Sequence, residues 1–460
     1  MNSLVSRRRF LGQMNCAAVT AAPLLSTLFS LKGSAAAANA SSQNDYKALV
    51  CIFLGGGNDS YNMLLPYESS AYAGYQRARS NLAIPRESVL PLSNAGTNPE
   101  LALHPGMPEL RDLYQSGTLG FVTNVGTLVE PTTLAAYEND SARLPMGLYS
   151  HADQIMHWQT SVPDSRSAFG WAGRLADLMR DANRDAAVSM NISLSGTNTF
   201  QAGRSTSSYE ITPFGNGAVT LEPYSDHPAL SAISKTAVNS MMDATYKNIF
   251  ESAFAETTKR AIDSSETVAN AINATSLQTV FSPSELSQSL AMIARTIAAR
   301  DTLCAKRQTF FVMFGGWDHH GELINNHAAM LPVVSKALSE FYQATVELGV
   351  DQKVTTFTAS DFARTLSSNG RGSDHAWGGN QIVLGGAVKG GQIYGQYPDL
   401  APRSNLDTGR GRLIPTLSTD EYFAELAMWF GVQPSDLSAV LPNLGRFYST
   451  GSESPIGILA

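Results

Sequence analysis

Short apolar runs that end in small residues constrain the fold of this 460-residue chain more than any other feature. The first run is Lys-Ala-Leu-Val-Cys-Ile-Phe-Leu at residues 47–54, and it stops at Gly55-Gly56-Gly57. Apolar runs of this length, bounded by turn residues, predict strands that are buried on both faces. Further runs of the same kind occupy residues 120–125, 186–194, 308–314, 354–358 and 381–384.

Helical patterns fill most of the intervals between these runs. Apolar residues recur at helical spacing in residues 229–274, 283–300, 328–348 and 419–430. Strands that alternate with helices predict an α/β fold with a mostly parallel sheet, covered by helices on both faces. We expect a single domain over residues 45–450, in which residues 195–300 form a mainly helical insertion or cap.

The first 40 residues have the three-part organisation of a secretory signal. Ser-Arg-Arg-Arg-Phe-Leu at residues 6–11 precedes a modestly apolar stretch, and Ala38-Asn39-Ala40 fits the small-residue cleavage pattern. Paired arginines in this context are typical of twin-arginine signals. We therefore predict a periplasmic or secreted protein that uses the twin-arginine export machinery; the alternative is a disordered basic tail. Thr20 and Pro23 interrupt the apolar stretch, so we expect no stable membrane span after cleavage.

Charge and cysteine content exclude several classes of protein. The formal net charge is -7, and removal of the four basic residues of the predicted signal leaves -11. An acidic chain without basic runs is not expected to bind nucleic acid. Of the 3 cysteines, Cys51 and Cys304 remain after cleavage. They either pair or are buried as apolar residues, and they provide neither a disulfide framework nor a thiolate zinc site.

Three predicted strands are followed by small residues and then by an aspartate. These aspartates are Asp59, Asp318 and Asp361. Ligands of open parallel sheets bind beyond the carboxyl ends of the strands, so the three carboxylates are expected to converge at one edge. The alternative for each aspartate is a turn or helix-capping role, because turn chemistry also favours Asp at such positions.

Histidines are concentrated in the same part of the chain. Four of the 8 histidines, His319, His320, His327 and His375, lie between the 308–314 run and the loop around residue 375. Carboxylate and imidazole groups together are the usual ligands of zinc, manganese or iron. His327 lies in a predicted helix, where a surface or supporting role is favoured over metal ligation.

Two further residues have both a functional and a structural interpretation. Arg364 follows Asp361 closely and has a planar fork that suits an anionic substrate, or else it forms a salt bridge with a neighbouring carboxylate. Ser150 precedes a predicted helix at residues 152–160, where backbone N–H groups favour an anion. Ser150 is therefore a candidate nucleophile, although the spacing Ser150-x-x-Asp153 favours a helix-capping role.

Four blocks of sequence resemble a known family. They are Phe-Leu-Gly-Gly-Gly-Asn-Asp at 53–59, Gly-Gly-Trp-Asp-x-His at 315–320, Ser-Asp-Phe-x-Arg-Thr at 360–365 and Asp-His-x-Trp-Gly-Gly at 374–379. Together with the twin-arginine start, they resemble the bacterial domain-of-unknown-function family numbered 1501, a distant relative of the alkaline phosphatase and sulfatase superfamily. The resemblance implies an α/β/α sandwich, alkaline-phosphatase-like, with metals near the strand ends.

The resemblance also implies a site and an activity. It implies Asp59 and Asp361 on one metal, Asp318, His320 and His375 on a second, and Ser150 as the nucleophile between them. Two departures concern the metal sites: Asp318 and His320 are two residues apart instead of four, and Phe362 follows Asp361 where the superfamily often has His.

The sequence therefore predicts an exported hydrolase of small phosphate or sulfate esters. It would depend on divalent zinc, manganese, calcium or magnesium ions, with Ser150 or a water as nucleophile and Arg364 as the anion-binding group. The alternative is a non-catalytic periplasmic binding or assembly protein on the same fold.

Overall fold

The computed structural model describes residues 46–93, 100–219, 231–449, 451 and 453–460. The predicted twin-arginine signal peptide at residues 1–40 lies outside these described residues. Within the described ranges, no helix combines the length and the apolar character that crossing a membrane requires.

The apolar runs of the sequence form strands, and additional short strands join them. All of the runs predicted as strands contain a strand, although residues 186–194 form one only over their last part. In chain order the strands are β1 (Lys47–Leu54), β2 (Leu64–Pro66), β3 (Leu90–Pro91), β4 (Leu101–Leu103), β5 (Leu119–Gly126), β6 (Asn191–Ser193), β7 (Tyr209–Glu210), β8 (Arg307–Phe314), β9 (Val354–Ser360), β10 (Gly379–Leu384), β11 (Ile393–Tyr394) and β12 (Leu417–Ser418).

Strand β1 lies in the middle of a nine-stranded sheet with the order β11-β5-β10-β9-β1-β8-β6-β7, and β12 pairs with β5. β1 is parallel to β8 on one side and to β9 on the other. β10 is antiparallel to both of its neighbours, β5 and β9, so the carboxyl end of β5 lies at the same edge as those of β1, β8 and β9. The prediction of an α/β fold with a mostly parallel sheet is confirmed. A separate three-stranded sheet has the order β2-β4-β3.

Each segment predicted as helical contains a helix, one of them is interrupted, and further helices that were not predicted join them. The predicted helix at 229–274 is divided before Asn248, whose side chain caps the second part by accepting from the N–H of Phe250. The α-helices are α1 (Ser60–Met63), α2 (Ser69–Arg79), α3 (Pro108–Gln115), α4 (Leu134–Glu138), α5 (His151–Thr160), α6 (Trp171–Leu178), α7 (Ser231–Met242), α8 (Ile249–Asn273), α9 (Glu285–Ala298), α10 (Leu323–Glu347), α11 (Thr419–Phe430) and α12 (Leu437–Val440).

Alternate residues of β1 point to two hydrophobic cores, because successive side chains of a strand face opposite sides of the sheet. Val50 and Ile52 belong to the core that also contains apolar residues of α3, α9 and α10. Cys51 and Phe53 belong to the core that contains apolar residues of α6, α11 and α12. The sheet is therefore covered by helices on both faces and forms the middle layer of three.

Cys51 and Cys304 are both free thiols, so the two cysteines do not pair. Cys51 is buried within β1, where desolvation raises the pKa of its thiol, and Cys304 is exposed. Within residues 195–300, α9 packs in the same core as β1, whereas α8 begins with the strongly exposed side chains of Ile249 and Phe250. That this region is an insertion or cap stays a prediction.

Candidate functional site

The turns that follow β1, β8 and β9 lie side by side and are joined by hydrogen bonds. The N–H of Trp317 donates to the carbonyl oxygen of Gly55 at 3.1 Å, and the N–H of Gly56 donates to Asp361 Oδ1 at 3.0 Å. Ser360 Oγ accepts from the N–H of Asn58 at 2.9 Å. These bonds hold the three chain segments in fixed positions at the carboxyl edge of the sheet.

Two glycines make this close approach of the backbones feasible. Gly56 has a φ of +116°, and a Cβ atom there would lie 2.6 Å from the backbone nitrogen of Asp318. Gly57 has a φ of +86°, and its Cβ would lie 2.6 Å from the ring of Phe362. The glycine run that ends the first apolar run is therefore required both by backbone conformation and by packing against the other two turns.

Gly56→Ala should destabilise the protein more than Gly316→Ala. Both positions have positive φ, so each variant should lose about 1–3 kcal/mol of unfolding free energy through backbone strain. Only at Gly56 does the added methyl group also overlap with backbone atoms, since the atom nearest to a Cβ at Gly316 is Met330 Cε at 3.6 Å. Urea denaturation should show at least about 1 kcal/mol of extra destabilisation for Gly56→Ala. Equal losses in the two variants would contradict this account.

Asp318 lies at the centre of a cluster of basic side chains. Its Oδ1 lies 2.6 Å from Arg364 Nη1, 3.1 Å from His320 Nε2 and 3.3 Å from His375 Nε2. Its Oδ2 lies 3.6 Å from Nε2 of His151. Partial burial alone would raise the pKa of Asp318, but the hydrogen bond and the charge of Arg364 outweigh it and the pKa is lowered. The carboxylate is 43% exposed, so the cluster is open to solvent.

The three imidazoles of this cluster share one arrangement. In each ring, Nδ1 faces an oxygen acceptor and Nε2 faces Asp318. An oxygen acceptor fixes the proton on Nδ1 and leaves the lone pair on Nε2, which is the arrangement that metal-binding histidines have in proteins. The Nδ1 contacts are His151 to Asp361 Oδ2 at 2.6 Å, His320 to Asp374 Oδ1 at 3.0 Å and His375 to the carbonyl of Tyr149 at 2.7 Å.

This arrangement fits a bound cation. His320 Nε2 and His375 Nε2 are only 3.0 Å apart, and two lone pairs at that distance repel one another unless a proton or a metal ion lies between them. His151, Asp318 and His375 each offer one donor atom, and these atoms all lie within 4.8 Å of one another. Imidazole and carboxylate donors in such proximity suit a divalent transition metal.

Hydrogen bonds and aromatic contacts fix His375 and its neighbours. Thr365 donates its N–H to the carbonyl of Asp374 at 2.8 Å, so the segment after β9 pairs with the segment before β10. Phe362 stacks on the His375 ring with a centroid distance of 4.5 Å and contacts the His151 ring at 4.8 Å. The phenylalanine that departs from the superfamily pattern thus packs against two of the three imidazoles.

Tyr149 adopts a backbone conformation that is rare for its residue type. Its φ is +82°, and its carbonyl is the group that accepts from Nδ1 of His375. Its phenol ring lies under the guanidinium of Arg412, 4.8 Å from the ring centroid. A left-handed conformation at a bulky residue carries strain, which the surrounding contacts must maintain.

The structure does not bring Asp59 into this cluster. The Asp59 carboxylate is buried and forms an ion pair with Arg79, whose side chain is also 0% exposed. Burial raises the pKa of Asp59, and the charge of Arg79 opposes that change. Asp361, which the resemblance places on the same metal, instead contacts His151 and the N–H of Gly56. The two-metal arrangement therefore stays a prediction.

Arg364 forms a salt bridge with a neighbouring carboxylate, which is the structural interpretation that the sequence left open beside anion binding. Its side chain is 0% exposed and forms an ion pair with Asp318. It also donates to the backbone carbonyls of Gly56 and Ser373. A guanidinium enclosed in this way holds Asp318 and the two turns together, and it is not accessible to an anion from solvent.

Ser150 is the N-cap residue of α5, but its side chain makes no capping hydrogen bond. The predicted capping box with Asp153 is therefore not formed. Ser150 is half-buried, and it directly precedes His151, a residue of the cluster. Its role as nucleophile stays a prediction.

His151 is not among the site residues predicted from the sequence, yet it lies between Asp318 and Asp361. The signal lay in the apolar run at residues 120–125: because β5 ends at the same edge as β1, the chain that follows β5 returns to the site. Only the long interval between Gly126 and His151 obscured this relation.

His327 lies in α10 and is buried, so of the two roles that the sequence favoured, a surface or a supporting one, the surface role is excluded. Its ring lies 5.4 Å from that of His319 and 6.3 Å from that of His104, measured between centroids. The ring nitrogens of His319 and His327 have no hydrogen-bond partner among the described residues. Burial lowers the pKa of all three histidines, to about 4 for His104. These rings form a group separate from the Asp318 cluster.

No curated protein sequence matches the chain. Among solved structures, it is similar to Ps i-CgsB in complex with k-i-k-neocarrahexaose, with 11% identity, a TM-score of 0.32, and 87% of this chain and 77% of that chain covered. It is also similar to the soluble domain of lipooligosaccharide phosphoethanolamine transferase A from Neisseria meningitidis, with 8% identity, a TM-score of 0.25 and coverages of 84% and 88%. A mutant of alkaline phosphatase PafA matches with 10% identity, a TM-score of 0.26 and coverages of 70% and 64%. Similarities at these TM-scores support no conclusion about activity.

A family model matches most of the length of the chain. The matching family is described as "Protein of unknown function (DUF1501)", and the match covers residues 46–409. That range includes β1, β8, β9 and every residue of the Asp318 cluster. The chain therefore belongs to the DUF1501 family.

Proposed function

We propose that this protein is a metal-dependent hydrolase of small phosphate or sulfate esters that acts outside the cytoplasm. The observation that carries the proposal is the convergence of three imidazole Nε2 atoms on Asp318, each ring having its Nδ1 held by an oxygen acceptor. A site in which ligands and their supporting groups are both in place suits a metal that takes part in a reaction.

A divalent ion held by His151, Asp318, His320 and His375 would polarise the ester and activate the attacking oxygen. Three of these four ligands are imidazoles, which favours zinc or manganese over calcium or magnesium. Asp361, Asp374 and the Tyr149 carbonyl would keep the histidines in the ligating tautomer. Ser150, which lacks a capping bond and directly precedes His151, is the proposed nucleophile, with a water as the alternative.

One observation favours a second candidate, a non-catalytic binding or assembly protein. Arg364 Nη1 lies 2.6 Å from Asp318 Oδ1, so a fixed positive charge already neutralises the central carboxylate. In this candidate the guanidinium replaces the metal as the partner of Asp318, and the fold serves recognition only.

Metal analysis of the purified protein separates the two candidates. We expect nearly one equivalent or more of zinc or manganese, lost in Asp318→Ala, His151→Ala and His375→Ala. Asp112→Ala, which removes an exposed carboxylate on α3, should retain the metal. The metal-containing protein should hydrolyse at least one of an aryl phosphate, a phosphodiester and an aryl sulfate. Folded protein without metal would contradict the hydrolase, and metal without hydrolysis would favour the binding protein.

A further inference from the structure

A cationic side chain beside the metal would help to bind an anionic ester, and Arg364 does not supply one that the substrate can reach. Its side chain is fully buried, and its donors are directed at Asp318, at the Gly56 carbonyl and at Ser373. An anion could contact this guanidinium only if those contacts were broken. An arginine that binds the anion would therefore come from another part of the chain.

Arg410 meets this requirement. Its Nη2 donates to Asp374 Oδ2 at 2.5 Å, and the other oxygen of Asp374 accepts from Nδ1 of His320. One carboxylate thus separates the Arg410 guanidinium from a ring of the cluster. The Arg410 side chain is 46% exposed, so its remaining donors are open to a ligand in solution.

The loop that carries Arg410 is rigidly built. Asp407 Oδ1 accepts from the N–H groups of Gly409 and Gly411, at 2.8 and 2.7 Å. The carbonyl of Arg410 accepts from the N–H of Ser367 at 3.1 Å, which attaches the loop to the segment after Arg364. Arg410 itself has a φ of +63°, uncommon for a residue with a side chain. These bonds fix the backbone at Arg410, and the contact with Asp374 places its side chain beside the cluster.

The charges around the cluster also suit a dianion. The Asp374 carboxylate accepts hydrogen bonds from Asn369, Arg410 and His320. The site contains three carboxylates and three guanidinium groups, whose charges cancel. A divalent metal would give the site a net charge of two positive charges, which would balance the two negative charges of inorganic phosphate or sulfate. The groups are Asp318, Asp361, Asp374, Arg364, Arg410 and Arg412.

We infer that Arg410 binds the tetrahedral anionic group of the ligand beside the metal-binding histidines, in the role that the sequence assigned to Arg364. This inference rests on the proposed function for the nature of the substrate. The planar fork of arginine can donate two parallel hydrogen bonds to an oxyanion, which a lysine cannot reproduce. The pairing with Asp374 is partly exposed and therefore weak enough to be shared with a ligand.

The test measures binding of inorganic phosphate, and separately of sulfate, to the metal-loaded full chain by calorimetry. Arg410→Ala should weaken binding about tenfold or more, and Arg410→Lys should retain part of it. Arg403→Ala is the matched control, since Arg403 is an exposed arginine of the same loop with positive φ, and it should bind the anions like the wild type. Metal content should be the same in all of these proteins, which excludes an effect through His320.

The outcomes separate this inference from the proposed function. Anion binding that depends on Arg410, without turnover of any ester, supports the inference and contradicts the hydrolase. Ester hydrolysis with the same KM and the same inhibition by phosphate in Arg410→Ala supports the hydrolase and overturns the inference. A metal-loaded wild type that binds neither phosphate nor sulfate also overturns it.

Discussion

Arg79→Met should lower the free energy of unfolding by about 3–5 kcal/mol, because it leaves the buried Asp59 carboxylate without its partner. Arg79 also donates to Asn62 Oδ1 at 3.1 Å and to the carbonyl of Thr365 at 2.9 Å. The substitution therefore removes bonds that attach α2 to the segment after Arg364. Urea denaturation at neutral pH measures the loss.

Two variants control this experiment. Arg77→Met changes an exposed arginine of the same helix and should alter the unfolding free energy by no more than about 0.5 kcal/mol. The double variant Asp59→Asn with Arg79→Met removes both charges and should recover a large part of the loss. If the double variant is as unstable as Arg79→Met alone, the uncompensated charge is not the cause.

Asp420→Asn should stabilise the protein increasingly as the pH rises from 4 to 8. Asp420 lies in the first turn of α11 and is fully buried. Burial raises the pKa of Asp420 to about 7, although a hydrogen bond from Ser161 and the charges of Arg174 and Arg446 act to lower it. The folded protein therefore retains this proton at pH values where the unfolded chain releases it.

The sign follows from proton linkage. A group whose folded pKa is raised gives its full stability below the unfolded value near 4, and that stability is lost as the pH rises through about 7. The asparagine variant lacks this loss, so the difference in unfolding free energy between variant and wild type should grow by up to about 4 kcal/mol. Thermal or urea unfolding at pH 4 and pH 8 measures it. The exposed Asp301→Asn should show no such growth, and a constant difference for Asp420→Asn would refute the proposed protonation.

The periodicity of apolar residues predicted the positions of strands and helices better than it predicted whether neighbouring strands are parallel or antiparallel. The run at 47–54 and the helix at 419–430 match β1 and α11 residue for residue, because apolar patterning and a capping box at Ser418 define them locally. The run at 381–384 gave no indication that β10 is antiparallel to its neighbours. A strand buried on both faces has the same composition in either direction, so only its connections decide its orientation.

The position of a residue after a strand predicted only part of the cluster, since Asp59 also follows a strand and pairs with Arg79 instead. Asp318 and His320 follow β8 and lie together at the edge that the strand-end rule indicates, and His375 joins them from the loop before β10. His151 reaches them from a long connection whose path depends on tertiary packing. The role of Arg364 likewise depends on burial, since its sequence neighbours are equally compatible with an exposed anion-binding group and with an enclosed ion pair.

The position of β1 between β8 and β9 has a consequence for biosynthesis. The strand made first has both of its hydrogen-bonding edges free until residues 307–360 have been synthesised. At about 5–20 residues per second, that delay is roughly 15–60 s. During this time an apolar segment with two unpaired edges is a template for association with other chains. We therefore expect that, during synthesis, the edges of the first strand have to be kept from pairing with other chains until its two partner strands leave the ribosome.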